Sequence, residues 1–161
     1  MKIEENKQGL FIMSSGAAAQ PFQYAVGLYG SKFLQELRDH HRILGICCPG
    51  CKKVYVPPRQ VCGPCYKEMR ELVEVATEGK IVSYTILRFQ FLDPETGEKK
   101  PVPYGYGFFK LDGADNYFQH FMEVPEDESR LYIGARVKAI FSNEKHNSLK
   151  AIKHFALIEA K

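Results

Sequence analysis

Two Cys-x-x-Cys pairs, Cys48-Pro49-Gly50-Cys51 and Cys62-Gly63-Pro64-Cys65, stand with ten residues between them. This spacing constrains the chain more than any other feature. Each pair wraps a tight turn, so that its two sulfurs face one point. Two such turns complete a tetrahedral four-sulfur shell, the arrangement that suits zinc. Proline and glycine inside each pair favour the turn. Between the pairs, Val54-Tyr55-Val56 has strand character, and Pro57-Pro58 keeps the return extended. The segment therefore reads as a zinc ribbon, two knuckles joined by a short hairpin. A closed four-thiolate shell has no open position for water or substrate, so the metal is expected to hold the fold rather than perform chemistry. Two alternatives stay open at this level: a pair of redox dithiols, and an iron site of the rubredoxin kind. Rubredoxin-type knuckles favour glycine just after the second cysteine, where Lys52 and Tyr66 stand here.

The fifth cysteine, Cys47, is adjacent to the motif. Only Cys48 gives the two-residue spacing found in the second pair, so the expected ligands are Cys48, Cys51, Cys62 and Cys65. Cys47 is then a free, packed thiol. Clustering of all five cysteines between positions 47 and 65 argues for metal ligation in a reducing compartment over a disulfide framework. With a charged start and no continuous apolar run of spanning length, the chain is expected to be cytoplasmic.

Around the ribbon the sequence divides into an N-terminal arm (1–30), a helix (31–45), the ribbon (46–70) and a strand-rich region (71–161). The arm, with Ser14-Ser15-Gly16-Ala17-Ala18-Ala19 at its centre, cannot form a packed unit alone and is expected to be a tail or to lie on a partner. Ser31 is a plausible N-cap, and Leu34, Leu37, His41 and Leu44 with Phe33 beside them make one apolar stripe ending at Gly45. That stripe packs either on the chain's own core or on another subunit, and the partner-binding residues expected from it are Phe33, Leu34, Leu37 and His41. Beyond it, Lys80–Phe89, Tyr104–Leu111, Tyr117–Val124, Arg136–Phe141 and Leu149–Ile158 carry strand signals, with a strong turn at Asp93–Gly97. Five strands without a competing helical period predict a small closed barrel. The expected fold class is mainly β: one helix, a four-cysteine ribbon and a five-stranded barrel.

The formal charge of +3 counts the cysteines as neutral. Four thiolates and one dication lower it by two, to about +1. Little basic excess is left for a nucleic-acid partner. Single-stranded nucleic acid remains the alternative, with Tyr84, Phe89, Phe91, Tyr104 and Tyr106 as stacking faces. These aromatics alternate with apolar neighbours, a pattern expected of a barrel core.

One family matches the order of these features. A helix carrying Phe33-Leu34, then Cys48-x-x-Cys51, Val56-Pro57-Pro58-Arg59, Cys62-x-x-Cys65, Gly79-Lys80-Ile81-Val82-Ser83-Tyr84-Thr85, Val102-Pro103-Tyr104 and Ile133-Gly134-Ala135-Arg136-Val137 resembles the acyl-CoA-associated proteins with a rubredoxin-like zinc ribbon and a C-terminal OB-fold domain. A narrower likeness is to the small subunits of benzoylsuccinyl-CoA thiolases of anaerobic toluene breakdown. The resemblance implies a non-catalytic, zinc-binding subunit of a hetero-oligomeric thiolase (acyltransferase) complex, required for assembly or activity of a thiolase-fold catalytic chain. It departs from the family pattern in having Phe33 where tryptophan is common, and in its longer arm. Coenzyme A carries phosphates, so Arg59, Arg88, Lys99 and Lys100 are candidates for its neighbourhood, with Arg59 also placed to hold the ribbon turn. No catalytic residue is expected in this chain. His40, His41, His120, His146 and His154 suggest no cluster, and Glu123, Glu126, Asp127 and Glu128 read as a solvated loop.

Overall fold

A computed structural model of the chain describes residues 2–14, 23–92, 99 and 101–158. It is mainly β with one α-helix. An N-terminal antiparallel sheet is built from β1 (Lys2–Glu5), β2 (Phe11–Ser14) and β3 (Gln23–Ala25). The helix α1 (Leu28–His40) follows, then a second sheet of β4 (Ile43–Cys47), β5 (Val54–Tyr55) and β6 (Glu71–Val75) in the order β5-β4-β6. The last five strands, β7 (Glu78–Leu87), β8 (Tyr104–Leu111), β9 (Phe118–Met122), β10 (Arg136–Phe141) and β11 (Ile152–Leu157), close a barrel in the order β10-β11-β9-β8-β7. Among the described residues, no helix is long and apolar enough to cross a membrane.

The expected barrel is present. β7 pairs with both β8 and β10, which closes the sheet, and the β9–β11 contact, Met122 opposite Phe155, is its parallel pairing. Strand alternation decides what faces inward. Along β8, Gly105, Gly107, Phe109 and Leu111 are buried while Tyr104, Tyr106 and Phe108 face out. Inside, the Phe109 and Phe155 rings stack with centroids 4.3 Å apart. Gly79 lies so close to the Lys110 carbonyl that a Cβ would overlap backbone. The narrow barrel therefore requires glycine there.

The helix begins and ends earlier than the stripe predicts. Its N-cap is Gly27 at φ 84°, and Ser31 lies inside the first turns. The Ser31 hydroxyl is buried and accepts the Phe11 N–H at 2.9 Å. At the other end His41 turns left-handed (φ 55°), and both it and Arg42 direct their N–H groups to the Glu36 carbonyl. Leu44 and Gly45 are thus strand residues of β4. Gly45 is wedged in the sheet, where a Cβ would meet Val54 Cγ1 at 2.7 Å. A β-rich run, Ile43-Leu44-Gly45-Ile46, paired on β6, overrides the helical period at this boundary.

The packing bears on the readings left open for the helix stripe and the arm. Phe33, Leu34 and Leu37, expected to bind a partner, are buried in the same cluster as the barrel residues Ile81, Phe109, Leu111 and Phe155. His41, the fourth of that set, is exposed and stacks on Phe141 of β10 (centroids 4.8 Å, planes 11° apart). The helix docks on its own barrel, because its apolar stripe has nowhere drier to go. The arm behaves likewise: Phe11 is fully buried in that core. Arg38 holds the assembly from outside, binding Asn147 at 2.7 Å and Glu5 at 3.2 Å and lying over the Phe11 ring. The Ser14–Ala19 segment lies outside the described residues except for Ser14, and the Asp93–Gly97 turn lies wholly outside them. Finally, β6, counted from sequence with the barrel, pairs instead with β4.

Candidate metal centre

The sulfurs of Cys48, Cys51, Cys62 and Cys65 lie within 4.8 Å of one another. Cys48 and Cys62 are fully buried, and Cys51 and Cys65 half-buried. Both knuckles have the same backbone. Cys48 N–H donates to the Lys53 carbonyl (2.9 Å) and Lys52 N–H returns to Cys48 O (2.9 Å). In the second, Cys62 N–H donates to Lys67 O (3.0 Å) and Tyr66 N–H to Cys62 O (2.8 Å). Lys52 and Tyr66 both take left-handed φ, 61° and 53°. They adopt the conformation that glycine favours at those places, so the absence of glycine does not separate a zinc ribbon from an iron knuckle.

The donor set fits a tetrahedral thiolate-bound ion. Sulfurs at about 2.3 Å from a central zinc stand roughly 3.8 Å apart along each edge. The Cys51–Cys62 sulfur separation is 3.7 Å. The thiols also resist sharing the site as bare anions. A hydrogen bond from Tyr55 draws the Cys62 thiol down to about 6, while the contact with Cys51 pushes Cys65 up to about 12. Neighbouring thiolates repel, and a dication in their midst removes that repulsion. Cys47 stands outside the cluster. Its Sγ is turned to the Lys52 carbonyl at 3.7 Å.

Sequence reasoning missed the groups that support this centre. The Tyr55 hydroxyl reaches Cys62 Sγ at 3.5 Å, and the Arg59 guanidinium lies over the Tyr55 ring, 3.9 Å from its centroid. Arg59, expected from sequence to hold the ribbon turn, meets the ribbon through this stacking on Tyr55. A small apolar cluster of Ile46, Tyr55 and Met69, with Tyr29 from the helix, packs round the buried cysteines. The ribbon is tied to the barrel by the loop before β9. Val54 and Asp115 exchange two hydrogen bonds (2.7 and 2.8 Å), and Asn116 brackets Val56. An Asp-Asn pair after Gly113 reads as an ordinary turn, so no sequence signal marked it.

The other candidates are dispersed. Arg59 lines a cleft of 540 Å³ between the start of α1 and the ribbon, together with Arg70. Lys99 is exposed on the β7–β8 connection, and Lys100 lies outside the described residues. Arg88 is paired with Glu128 at 2.6 Å. His120 is buried, its Nε2 at 2.7 Å from the Ile152 carbonyl. His40 sits against Glu36, His146 against Glu144 and His154 against Glu123. Of the proposed stacking residues, Tyr84 packs against the core and bonds the Leu131 carbonyl. Tyr104 and Tyr106 lie on the barrel's outer face, and Phe89 and Phe91 are exposed. The expectation that they fill the core holds only for Tyr84.

Known proteins share this architecture. A family model described as the C-terminal OB-fold domain of ChsH2 matches residues 72–142. A DUF35 domain-containing scaffold protein of Methanocaldococcus jannaschii is 25% identical over 115 residues, which span 70% of this chain and 77% of that protein. Among solved structures, a DUF35-family protein of unknown function from Sulfolobus solfataricus superposes with a TM-score of 0.58 at 19% identity, over 82% of this chain and 87% of the other. The Ltp2–ChsH2(DUF35) aldolase gives a TM-score of 0.59 at 17% identity, over 83% of this chain and 98% of that one. Residues 72–142 thus match the ChsH2 C-terminal OB-fold family, and the fold around them is that of the DUF35 proteins.

Proposed function

We propose that this chain is a non-catalytic, zinc-stapled subunit that completes a thiolase-fold enzyme acting on acyl-CoA. The observation that carries the reading is the closed donor set: four cysteine sulfurs gathered in one site leave a tetrahedral ion no position for water or substrate. Such a centre staples a small ribbon whose apolar cluster alone is slight. A similar protein bears the name scaffold, and another of the same fold occurs in an Ltp2–ChsH2 aldolase, which supports a role beside a catalytic chain. The finer identification, a thiolase partner and within that group the small subunit of a benzoylsuccinyl-CoA thiolase, rests on the sequence motifs. In this reading Cys48, Cys51, Cys62 and Cys65 hold one zinc ion. Arg59, on the wall of the cleft beside α1, is in this reading a candidate for contact with the CoA phosphates.

Co-expression with the thiolase-fold chain encoded beside it tests the proposal. The expected result is a complex of fixed stoichiometry containing one zinc per small chain. Separate elution of the two proteins contradicts it, and a coloured, iron-containing product contradicts the zinc assignment.

A second reading has one observation in its favour. Tyr104, Tyr106 and Phe108 line the outside of β8, and Phe121 on β9 meets Tyr106 edge-on at 5.1 Å. Aromatic ladders on an OB barrel serve as stacking platforms for single strands. Retardation of a short dT oligonucleotide by the purified chain, abolished in Tyr106→Ala, would favour it.

A further inference from the structure

Lys52 and Tyr66 occupy matching places, each following the second cysteine of its knuckle and each left-handed. Glycine takes that conformation freely, whereas a bulky side chain does so rarely. Among the described residues Tyr66 gains no partner in return. It is 86% exposed, and its hydroxyl makes no hydrogen bond among the described residues. Neither the turn nor the core asks for an aromatic ring here.

Other exposed residues stand on the same two knuckles. Val61, 49% exposed, opens the same knuckle and pairs across it with Glu68. Lys52 and Tyr66 adjoin Cys51 and Cys65, whose sulfurs share one site. The Lys67 side chain lies over Gly50 of the first knuckle, where a Cβ would meet its Cδ at 2.9 Å. Lys52, Lys53 and Lys67 are exposed and form no ion pair among the described residues. An exposed ring therefore stands on a hydrogen-bonded knuckle, and three lysines with no ion pair among the described residues stand on the same two knuckles.

We infer that Tyr66, together with Val61 of its own knuckle and with Lys52, Lys53 and Lys67 of the two knuckles, is the anchor by which the ribbon docks on an acidic patch of a protein partner, the ring entering an apolar pocket there. Tyrosine is a frequent anchor of protein interfaces, and one fixed by a knuckle loses little freedom on binding. The lysines suit a polar rim that steers an acidic surface. A single ring beside an aliphatic residue is a poor stacking platform, which favours protein over nucleic acid. This inference rests on the partner-subunit reading above and specifies the surface that serves it.

The test uses the full chain and the co-expressed thiolase-fold chain. Tyr66→Gly suits the local φ, so zinc content is expected to stay at one per chain and the thermal midpoint to hold or rise. The Kd for the catalytic chain is expected to rise about tenfold or more. Lys52→Glu with Lys67→Glu is expected to slow association and flatten its salt dependence. If the complex forms and neither variant changes Kd, docking lies elsewhere and only this inference fails. If the wild-type chain forms no complex, the subunit reading falls and takes the inference with it. Loss of zinc in Tyr66→Gly would make the residue structural and overturn the proposal. So would dT oligonucleotide binding that Tyr66→Gly abolishes while the protein complex is untouched.

Discussion

Asn116 and Val56 exchange two hydrogen bonds: the Asn116 amide donates to the Val56 carbonyl at 2.6 Å and its Oδ1 accepts the Val56 N–H at 2.8 Å. Val56 is 1% exposed, so both of its backbone groups depend on this one side chain. Asn116 stands in for the missing neighbour of an edge strand and fixes the ribbon to the barrel. Leaving two buried backbone groups unpaired costs about 1–3 kcal/mol each. Asn116→Ala is expected to lower the unfolding free energy by about 2 kcal/mol, water satisfying part of the loss, as measured by denaturant titration. A change within ~0.5 kcal/mol would show that the ribbon holds its place without the bracket.

The burial of Leu37 separates a core helix from a docking helix. Leu37 is 0% exposed and belongs to the cluster that also contains Phe11, Phe109 and Phe155. Leu37→Ala is expected to destabilise the isolated chain by about 3 kcal/mol through the cavity it leaves. A variant as stable as wild type in isolation, defective only in association, would restore the docking-helix reading.

Tyr55 tunes the metal centre through its hydroxyl. That hydrogen bond favours the Cys62 thiolate and draws the thiol from 9.0 to about 6. Tyr55→Phe keeps the ring under Arg59 but removes the bond. The Cys62 thiol then rises, and protons compete with the metal at higher pH. The pH midpoint of zinc release, followed with a chromophoric chelator, is expected to move upward. For the metal-free chain the sign is the same. A thiol depressed in the fold contributes stability above pH 9.0 that is lost as the pH falls through about 6. A downward or absent shift in Tyr55→Phe would remove the hydroxyl from the account.

The ligand set makes a sharp distinction between adjacent residues. Cys48→Ser is expected to lose bound zinc and unfold the ribbon, whereas Cys47→Ser is expected to retain one zinc per chain by elemental analysis. Metal loss from Cys47→Ser alone would reverse the assignment.

Much of this was legible in the residues. Fixed cysteine spacing marks the site because metal geometry is local, and period-two runs such as Tyr104–Leu111 mark the barrel strands because each alternates between core and solvent. Boundaries and contacts between elements were not. The apolar stripe through Leu44 ran on beyond the real helix end because the periods of three and two share residues there, and only pairing with β6 decides between them. An apolar helix face announces burial but not what covers it, which is why Phe33, Leu34 and Leu37 could be read as a docking surface. Asn116 and Asp115 act across the fold, over separations of 60 and 61 residues, and nothing local reveals that.

The central claim is that catalysis resides in another chain that needs this one. Acyl-CoA thiolysis by the proposed thiolase-fold partner, measured with and without the zinc-loaded protein, tests it most directly. The account predicts that the catalytic chain alone is inactive or nearly so, and that activity rises with added small chain to a plateau at the stoichiometry of the complex. Full thiolysis by the catalytic chain alone, unchanged by addition of this protein, would contradict it.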